Sequence, residues 1–219
     1  KMDDYRRMQY ALKAVLNKAH PASRFATGSL DTLSDNEQGK VRDDLLAFYD
    51  RYYSANLMTL AVYGPQPLEE LESWIKDQFS PIPNRNRTVD AYPNELFSEN
   101  TLPLDMRVQP VKDFMRLTFL FPVPDTLSHY KEKPAQYLGH LMGHEGEGSL
   151  LAWLKAKGWA ESLSAGLQTQ IRDQSAFQIS IGLTEKGTSH LNEISEQTFA
   201  YINLIREQGL QQWIFDELK

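Results

Sequence analysis

A proline-rich segment near the middle of the chain constrains its fold more than any other sequence feature. Residues 80–103 contain four prolines, at positions 81, 83, 93 and 103, among mostly polar residues. Proline lacks the backbone N–H that helices and central strands need, so this segment resists regular structure. We therefore predict a linker here, with a domain boundary near residue 97 that separates residues 1–97 from residues 98–219.

Hydrophobic periodicity predicts three helices and one strand before this linker. Apolar residues at spacings of three and four indicate helices over residues 2–16, 37–53 and 68–79. Residues 24–36 are rich in Ser, Thr, Gly and Asp, which is typical of a loop. Residues 56–64 form a short apolar run that ends in glycine, and we predict a strand there.

Strands follow one another more closely after the linker. The predicted strands cover residues 104–109, 114–122, 160–170 and 175–183, and the predicted helices cover residues 134–144, 150–157, 187–208 and a last segment from about residue 211. Strands joined without intervening helices favour antiparallel pairing. The sequence therefore predicts an α+β fold in which antiparallel sheets carry helices on one face.

Composition excludes several classes of function. The chain has 219 residues, of which 41% are hydrophobic, so it can bury a real core. It has no cysteine, which excludes disulfides, thiolate metal sites and cysteine nucleophiles. Its net charge is −6 with acids and bases interspersed, so we expect no nucleic-acid partner. No stretch approaches the roughly 20 apolar residues of a membrane helix, so we expect no membrane partner.

Two of the five histidines, His140 and His144, lie close together in the sequence. A spacing of four places both imidazoles on one face of a helix, where they can chelate one metal ion. A catalytic metal needs a third ligand, and the nearest carboxylate, Glu145, points about 100° around the helix from His144. A metal site and a pair of packed, hydrogen-bonded histidines both stay open, and the second is favoured.

The segment around these histidines is rich in glycine, with Gly143, Gly146 and Gly148 in six positions. Such a segment forms either a turn or a surface on which another backbone docks closely. The chain has no Gly-x-Ser-x-Gly string, and its paired carboxylates lie on predicted helix surfaces. From these residues alone, the sequence offers no complete active site.

Several longer strings carry a family resemblance. They are His-Pro-Ala-Ser-Arg-Phe at 20–25, Gly-Ser-Leu-Asp-Thr-Leu at 28–33, the run at 48–58, the run at 137–151, Lys-Gly-Trp at 157–159 and Leu-Thr-Glu-Lys-Gly at 183–187. In this order they resemble the pitrilysin/insulinase family of zinc metallopeptidases, and the resemblance covers essentially all 219 residues.

The resemblance implies a large zinc endopeptidase in which four homologous α+β domains form two halves around a chamber. The family binds zinc through a His-x-x-Glu-His motif on a first-domain helix, and that string is absent from this sequence. Both chain ends also fall within helical patterns. We therefore expect an internal fragment: residues 1–97 would be the C-terminal part of a first domain, and residues 98–219 the N-terminal part of a second. We expect no catalytic residue and no zinc in this fragment, and zinc in the parent enzyme.

The resemblance also implies an exosite in the second domain, which grips the N-terminal end of a peptide substrate partly by pairing with a strand edge. The matching positions are His140, Gly143, Glu145, Leu163, Ser164 and Ala165. A carboxylate at Glu145 suits a free α-amino group. At Ala165 and Leu167 a family member has glycine and glutamine, so the bulkier residues here are expected to change how closely a peptide docks.

The string His-Leu-Met-Gly-His at 140–144 has the spacing of the zinc motif with Gly143 in place of the catalytic glutamate. We interpret it as a degenerate site without metal.

Three functions therefore compete. The favoured one is a piece of an active zinc peptidase that hydrolyses peptides of modest size. The others are a noncatalytic peptide-binding or chaperone-like subunit of the family, and an unrelated protein with its own metal at His140 and His144. Exposed faces of incomplete domains also predict self-association. A periplasmic location is expected, and a cytoplasmic one is left open.

Overall fold

The computed structural model describes residues 3–36, 39–90, 92, 95–98, 101–112, 114–171 and 174–218. Its helices and strands are α1 (Asp4–Val15), α2 (Val41–Tyr52), α3 (Leu68–Phe79), β1 (Arg116–Pro124), α4 (Pro134–Met142), α5 (Leu150–Lys157), β2 (Ala160–Ile171), β3 (Gln174–Leu183), α6 (Leu191–Gln208) and α7 (Gln212–Leu218). None of the helices in these ranges is both long and apolar enough to cross a membrane.

The chain divides into two compact units, one formed by residues 1–24 with residues 92–219 and one by residues 25–91. The predicted boundary near residue 97 separates two homologous domains. A division into compact units does not test homology, so this boundary stays a prediction.

The larger unit is built on a three-stranded antiparallel sheet with the strand order β1-β3-β2. The register places Phe119 opposite Ile179 and Leu163 opposite Ile181. Because successive side chains of a strand point to opposite faces, the odd-numbered apolar residues of β1, of β3 and of residues 163–167 in β2 share one face. The predicted α+β class with antiparallel strands is confirmed.

Helices cover the odd-numbered face of the sheet. Leu151 and Leu154 of α5 and Ile194 of α6 are fully buried against Ile179 and Ile181 of the central strand β3. Burial of each such side chain stabilises the fold by about 1.5–3 kcal/mol.

A smaller cluster lies on the even-numbered face at one end of the sheet. There Ala176 of β3 packs with Leu16, which directly follows α1, and with Leu96 and Phe97. The helices α4, α5 and α6 thus lie on one face, as predicted, while this cluster partly covers the other face.

In the smaller unit, a hydrogen-bond network joins α2 to the residues that follow α3. The buried Ser54 hydroxyl accepts from the Arg85 backbone N–H at 2.8 Å, and the Arg85 guanidinium contacts Asp50 of α2 at 2.8 Å. The predicted strand at residues 56–64 is wrong, since residues 55–57 form a 3-10 turn and residues 58–64 pair with no described strand. An apolar run becomes a strand only where a partner completes its backbone ladder.

The predicted strand at residues 104–109 is also wrong, because no described strand pairs with it. Its end is bonded to α1 instead. Arg7 donates to the Gln109 carbonyl at 2.9 Å, and the Asp4 carboxylate accepts from the N–H groups of Val111 and Lys112 at 2.7 and 3.0 Å. Side chains of α1 thus bind the backbone at the end of this segment, at residues 109, 111 and 112.

Candidate functional site

An open groove of about 450 Å³ lies between the C-terminal end of α4 and the middle of β2. The residues that line it are Gly139, His140, Gly143, His144, Leu163, Ser164 and Ala165. Of the six predicted site residues, the structure brings together all but Glu145, although they come from two segments about 20 residues apart in the sequence.

Two glycines set the width of this groove. A Cβ at Gly139 would lie 2.9 Å from the Ala165 carbonyl oxygen, closer than side chains tolerate, so α4 reaches the strand backbone directly at this position. One turn later, a Cβ at Gly143 would lie 3.8 Å from the Ala165 backbone nitrogen. The sequence prediction missed Gly139, although its spacing of four from Gly143 on a helix was a usable signal.

The strand side of the groove is the free edge of β2. Within the described residues β2 pairs with β3 alone, so its other edge has no strand partner. The Leu163 side chain is buried in the core and Ser164 is exposed, so Leu163 offers the groove its backbone and Ser164 also its hydroxyl. Such an edge can take an additional extended segment.

The two imidazoles lie on the helix side of the groove with their ring centroids 6.1 Å apart. The Gly146 N–H donates to Nδ1 of His144 at 3.1 Å, so in the neutral ring the other nitrogen, Nε2, carries the proton. A metal ligand needs a free lone pair, and no third His, Asp or Glu joins the pair within the described ranges. The residues of this groove therefore do not fit a zinc ion.

Glu145 lies on the turn after α4, beside the groove rather than in its lining. Its carboxylate contacts the Lys155 ammonium of α5 at 3.5 Å, and its side chain is 68% exposed. An exposed pair of this kind contributes little to stability. The carboxylate is therefore available to a ligand at little cost to the fold.

Leu167 packs against the hydrophobic core and does not line the groove. Of the two positions where a docking effect was expected, only Ala165 therefore touches this space.

Comparison with known proteins identifies the family of this chain. Residues 40–219 match the family model described as the Peptidase M16 inactive domain. The chain belongs to the insulinase/pitrilysin (M16) family of peptidases. The predicted family resemblance is thereby confirmed.

Relatives within the M16 family share this stretch of sequence. The chain is 40% identical to insulin-degrading enzyme of Homo sapiens, over 100% of this chain and 22% of that protein. It is 40% identical to A-factor-processing enzyme of Saccharomyces cerevisiae, over 94% of this chain and 20% of that protein. The crystal structure of pitrilysin superposes with a TM-score of 0.86 at 29% identity, over 99% of this chain and 23% of that one. This chain thus spans about a fifth of the length of these relatives.

Proposed function

We propose that this chain is the peptide-anchoring part of a zinc metalloendopeptidase that hydrolyses peptides in an enclosed chamber. The groove between α4 and the β2 edge carries this proposal. The names of two relatives of this chain describe the degradation of insulin and the processing of A-factor. The sequence has no His-x-x-Glu-His motif, so this chain contributes recognition and not the hydrolytic step.

In this proposal the peptide binds as an extended strand along residues 163–165 of β2. Backbone hydrogen bonds to an edge strand give affinity without requiring a particular peptide sequence. Gly143 leaves room for the peptide because it places no side chain in the groove, while the close contact of Gly139 with Ala165 fixes where α4 meets the strand. The α-ammonium of the peptide then lies near the Glu145 carboxylate, where a charge-assisted hydrogen bond forms.

The Glu145 carboxylate provides the first test. Glu145→Gln keeps the shape of the side chain and removes its charge, so we expect a peptide with a free N-terminus to bind the full-length protein about threefold to tenfold more weakly. An N-acetylated peptide lacks the ammonium and should bind the wild type and the variant equally. Fluorescence anisotropy with C-terminally labelled peptides measures both.

Lys155→Gln is the matched control, because it breaks the same ion pair and leaves the carboxylate in place. We expect this variant to bind the free peptide at least as tightly as the wild type. Equal weakening by both substitutions would show that the ion pair matters only for local structure, and the anchoring role of Glu145 would be abandoned.

The alternative is a noncatalytic peptide-binding subunit, and the matched model supports it to the extent that it describes an inactive domain. Peptide binding at the groove fits both functions. Zinc-dependent cleavage by the full-length protein separates them.

A further inference from the structure

His20 is a buried histidine in the corner that follows α1, which consists of residues 16–24. Its side chain is only 1% exposed. Nδ1 of the ring accepts from the Ala22 N–H at 3.1 Å and so caps the short 3-10 turn Pro21–Ser23. The imidazole is therefore part of the structure of this corner, and it is not among the residues that line the groove.

The proline-rich segment lies against this corner. The Asn17 N–H donates to the Leu96 carbonyl at 3.0 Å, and the Asn17 side-chain amide donates to the Glu95 carbonyl at 2.9 Å. The Tyr92 ring contacts the His20 ring, with the two centroids 5.5 Å apart. Two hydrogen bonds and a ring contact thus hold the corner and the segment together.

The hydrogen bond to Ala22 fixes which nitrogen of His20 carries the proton. A neutral imidazole has one N–H and one lone pair, and the lone pair on Nδ1 is used by Ala22, so the proton lies on Nε2. Nε2 is buried, and the described part of the chain supplies no hydrogen-bond partner for it. The ring therefore has no acceptor beside it that could receive a second N–H.

Protonation of His20 is unfavourable at this position for two reasons. The imidazolium ion carries N–H groups on both nitrogens, so Nδ1 would face the Ala22 N–H as a second donor. Its charge would also be buried without a partner. Burial accordingly lowers the pKa of His20 below the ordinary histidine value of 6.5.

The charges around His20 do not offset this cost. The titratable or charged groups at the end of α1, in the corner and in the adjoining segment are Lys13, Lys18, Arg24, Tyr92 and Glu95. The Lys13 ammonium donates to the Arg24 carbonyl at 2.9 Å, and the Lys18 ammonium donates to the Lys13 carbonyl at 3.2 Å. The strand residues of the apolar cluster at this end of the sheet, Leu120 and Ala176, have no charge. Within the described residues, burial alone lowers the pKa of the imidazole.

We propose that His20 is an acid-sensitive latch: its neutral ring holds the corner against the proline-rich segment, and mild acid opens this contact by protonating the ring. Opening would free the segment in which we predict the domain boundary. This inference does not depend on the proposed peptide anchoring, because the latch and the groove have no residue in common.

The direction of the effect follows from proton linkage. A histidine whose pKa is lower in the closed state binds its proton more readily when the corner is open. The stability of the closed corner is therefore complete above about pH 6.5 and is lost as the pH falls below it. Because one proton is taken up, the equilibrium shifts by at most about tenfold per pH unit.

Hydrogen exchange in the full-length protein measures this opening when it is expressed as protection relative to an unstructured peptide at the same pH. Between about pH 7.5 and pH 5.5 we expect the protection of the Asn17 and Ala22 amides to fall about threefold to tenfold. The Ile179 amide in the central strand β3 should keep its protection, which would show that the opening is local. Carboxylates ordinarily titrate at lower pH and do not contribute in this range.

A substitution at His20 provides a readout that a merely structural role would not move. His20→Asn keeps an acceptor for the Ala22 N–H, because asparagine accepts from a backbone N–H two residues later, and it does not titrate. Whatever its protection at about pH 7.5, this variant should show less than about a twofold change at about pH 5.5. His129→Asn is the matched control, since His129 is 60% exposed, and it should keep the wild-type profile.

The wild-type profile decides the proposal even if His20→Asn is too unstable to purify. Wild-type Asn17 and Ala22 amides that keep their protection at about pH 5.5 overturn the latch. A profile that is flattened by His129→Asn and not by His20→Asn overturns it as well, because another histidine would then control the opening.

Discussion

Asp4 shows how much a single carboxylate can organise in this fold. It lies in the first turn of α1 and accepts from two successive backbone N–H groups, those of Val111 and Lys112, while its side chain is only 9% exposed. These backbone hydrogen bonds are the main reason why the pKa of Asp4 lies below its ordinary value, and the nearby Arg7 lowers it further. The carboxylate thus joins residues 111–112 to the first turn of α1.

This depressed pKa predicts how acid acts on the segment. A carboxyl group whose pKa is lower in the folded state stabilises the fold above its unfolded pKa and loses that contribution as the pH falls through the folded value. At neutral pH, Asp4→Asn should therefore increase hydrogen exchange at the Val111 and Lys112 amides. The difference from the wild type should shrink below the ordinary aspartate value of 3.8.

Asp105→Asn is a suitable control for this experiment, since Asp105 is 77% exposed and pairs only with Arg107 among the described residues. It should leave the exchange of both amides unchanged. If Asp4→Asn gave the same protection as the wild type at neutral pH, the anchoring role of Asp4 would be wrong.

Side-chain chemistry at this scale was only partly readable from the sequence. The family resemblance named Gly143 and Ala165 as positions of one exosite, while the hydrogen bond from Gly146 to His144 depends on the turn conformation. A hydrogen bond between residues two apart requires specific backbone angles, which residue spacing alone does not fix.

At the scale of elements, α6 depends on a narrow buried stripe. Ile194 and Thr198, one turn apart, are fully buried, and the Thr198 hydroxyl donates to the Ile194 carbonyl at 2.7 Å. Most of the neighbouring helical surface is exposed. Because Ile194 joins the main core cluster, its side chain ties the helix to the sheet.

Ile194→Ala should therefore lower the free energy of unfolding by about 2–5 kcal/mol, through lost burial and the cavity that remains. Glu196→Ala, on the exposed side of the same helix, should change it by less than about 0.5 kcal/mol. Urea denaturation followed by circular dichroism measures both. Similar losses from the two substitutions would mean that helix propensity, rather than packing, holds α6 in place.

The success of the sequence prediction also differed between elements for a physical reason. The predicted bounds of β2 and β3 differ from the observed ones by about one residue or less at each end. These two strands are consecutive and supply each other's backbone partners. Residues 56–64 and 104–109 have similar apolar character, but no described strand pairs with them. Periodicity reports which face of a segment is apolar, and it does not report whether a partner strand exists.

At the scale of the whole molecule, the proposed function separates recognition from hydrolysis. The sequence has no His-x-x-Glu-His motif, and the paired histidines of the groove do not fit zinc, because Nε2 of the neutral His144 carries the proton and no third His, Asp or Glu joins them in the described part of the chain. In the proposed enzyme, the metal and the groove therefore belong to different parts of the protein, and each should function without the other.

Removal of the metal tests this separation in the full-length protein. We expect a zinc chelator to abolish the cleavage of a fluorogenic peptide and re-addition of zinc to restore it, while the affinity of the groove for a peptide with a free N-terminus changes less than about twofold, a difference worth roughly 0.4 kcal/mol. Glu145→Gln should have the complementary effect, with weaker peptide binding and the same metal content. If chelation removed peptide binding as well, the groove would depend on zinc and the assignment of recognition alone to this chain would be wrong. If no cleavage occurred at any zinc concentration while peptide binding persisted, the noncatalytic peptide-binding subunit would be the correct function.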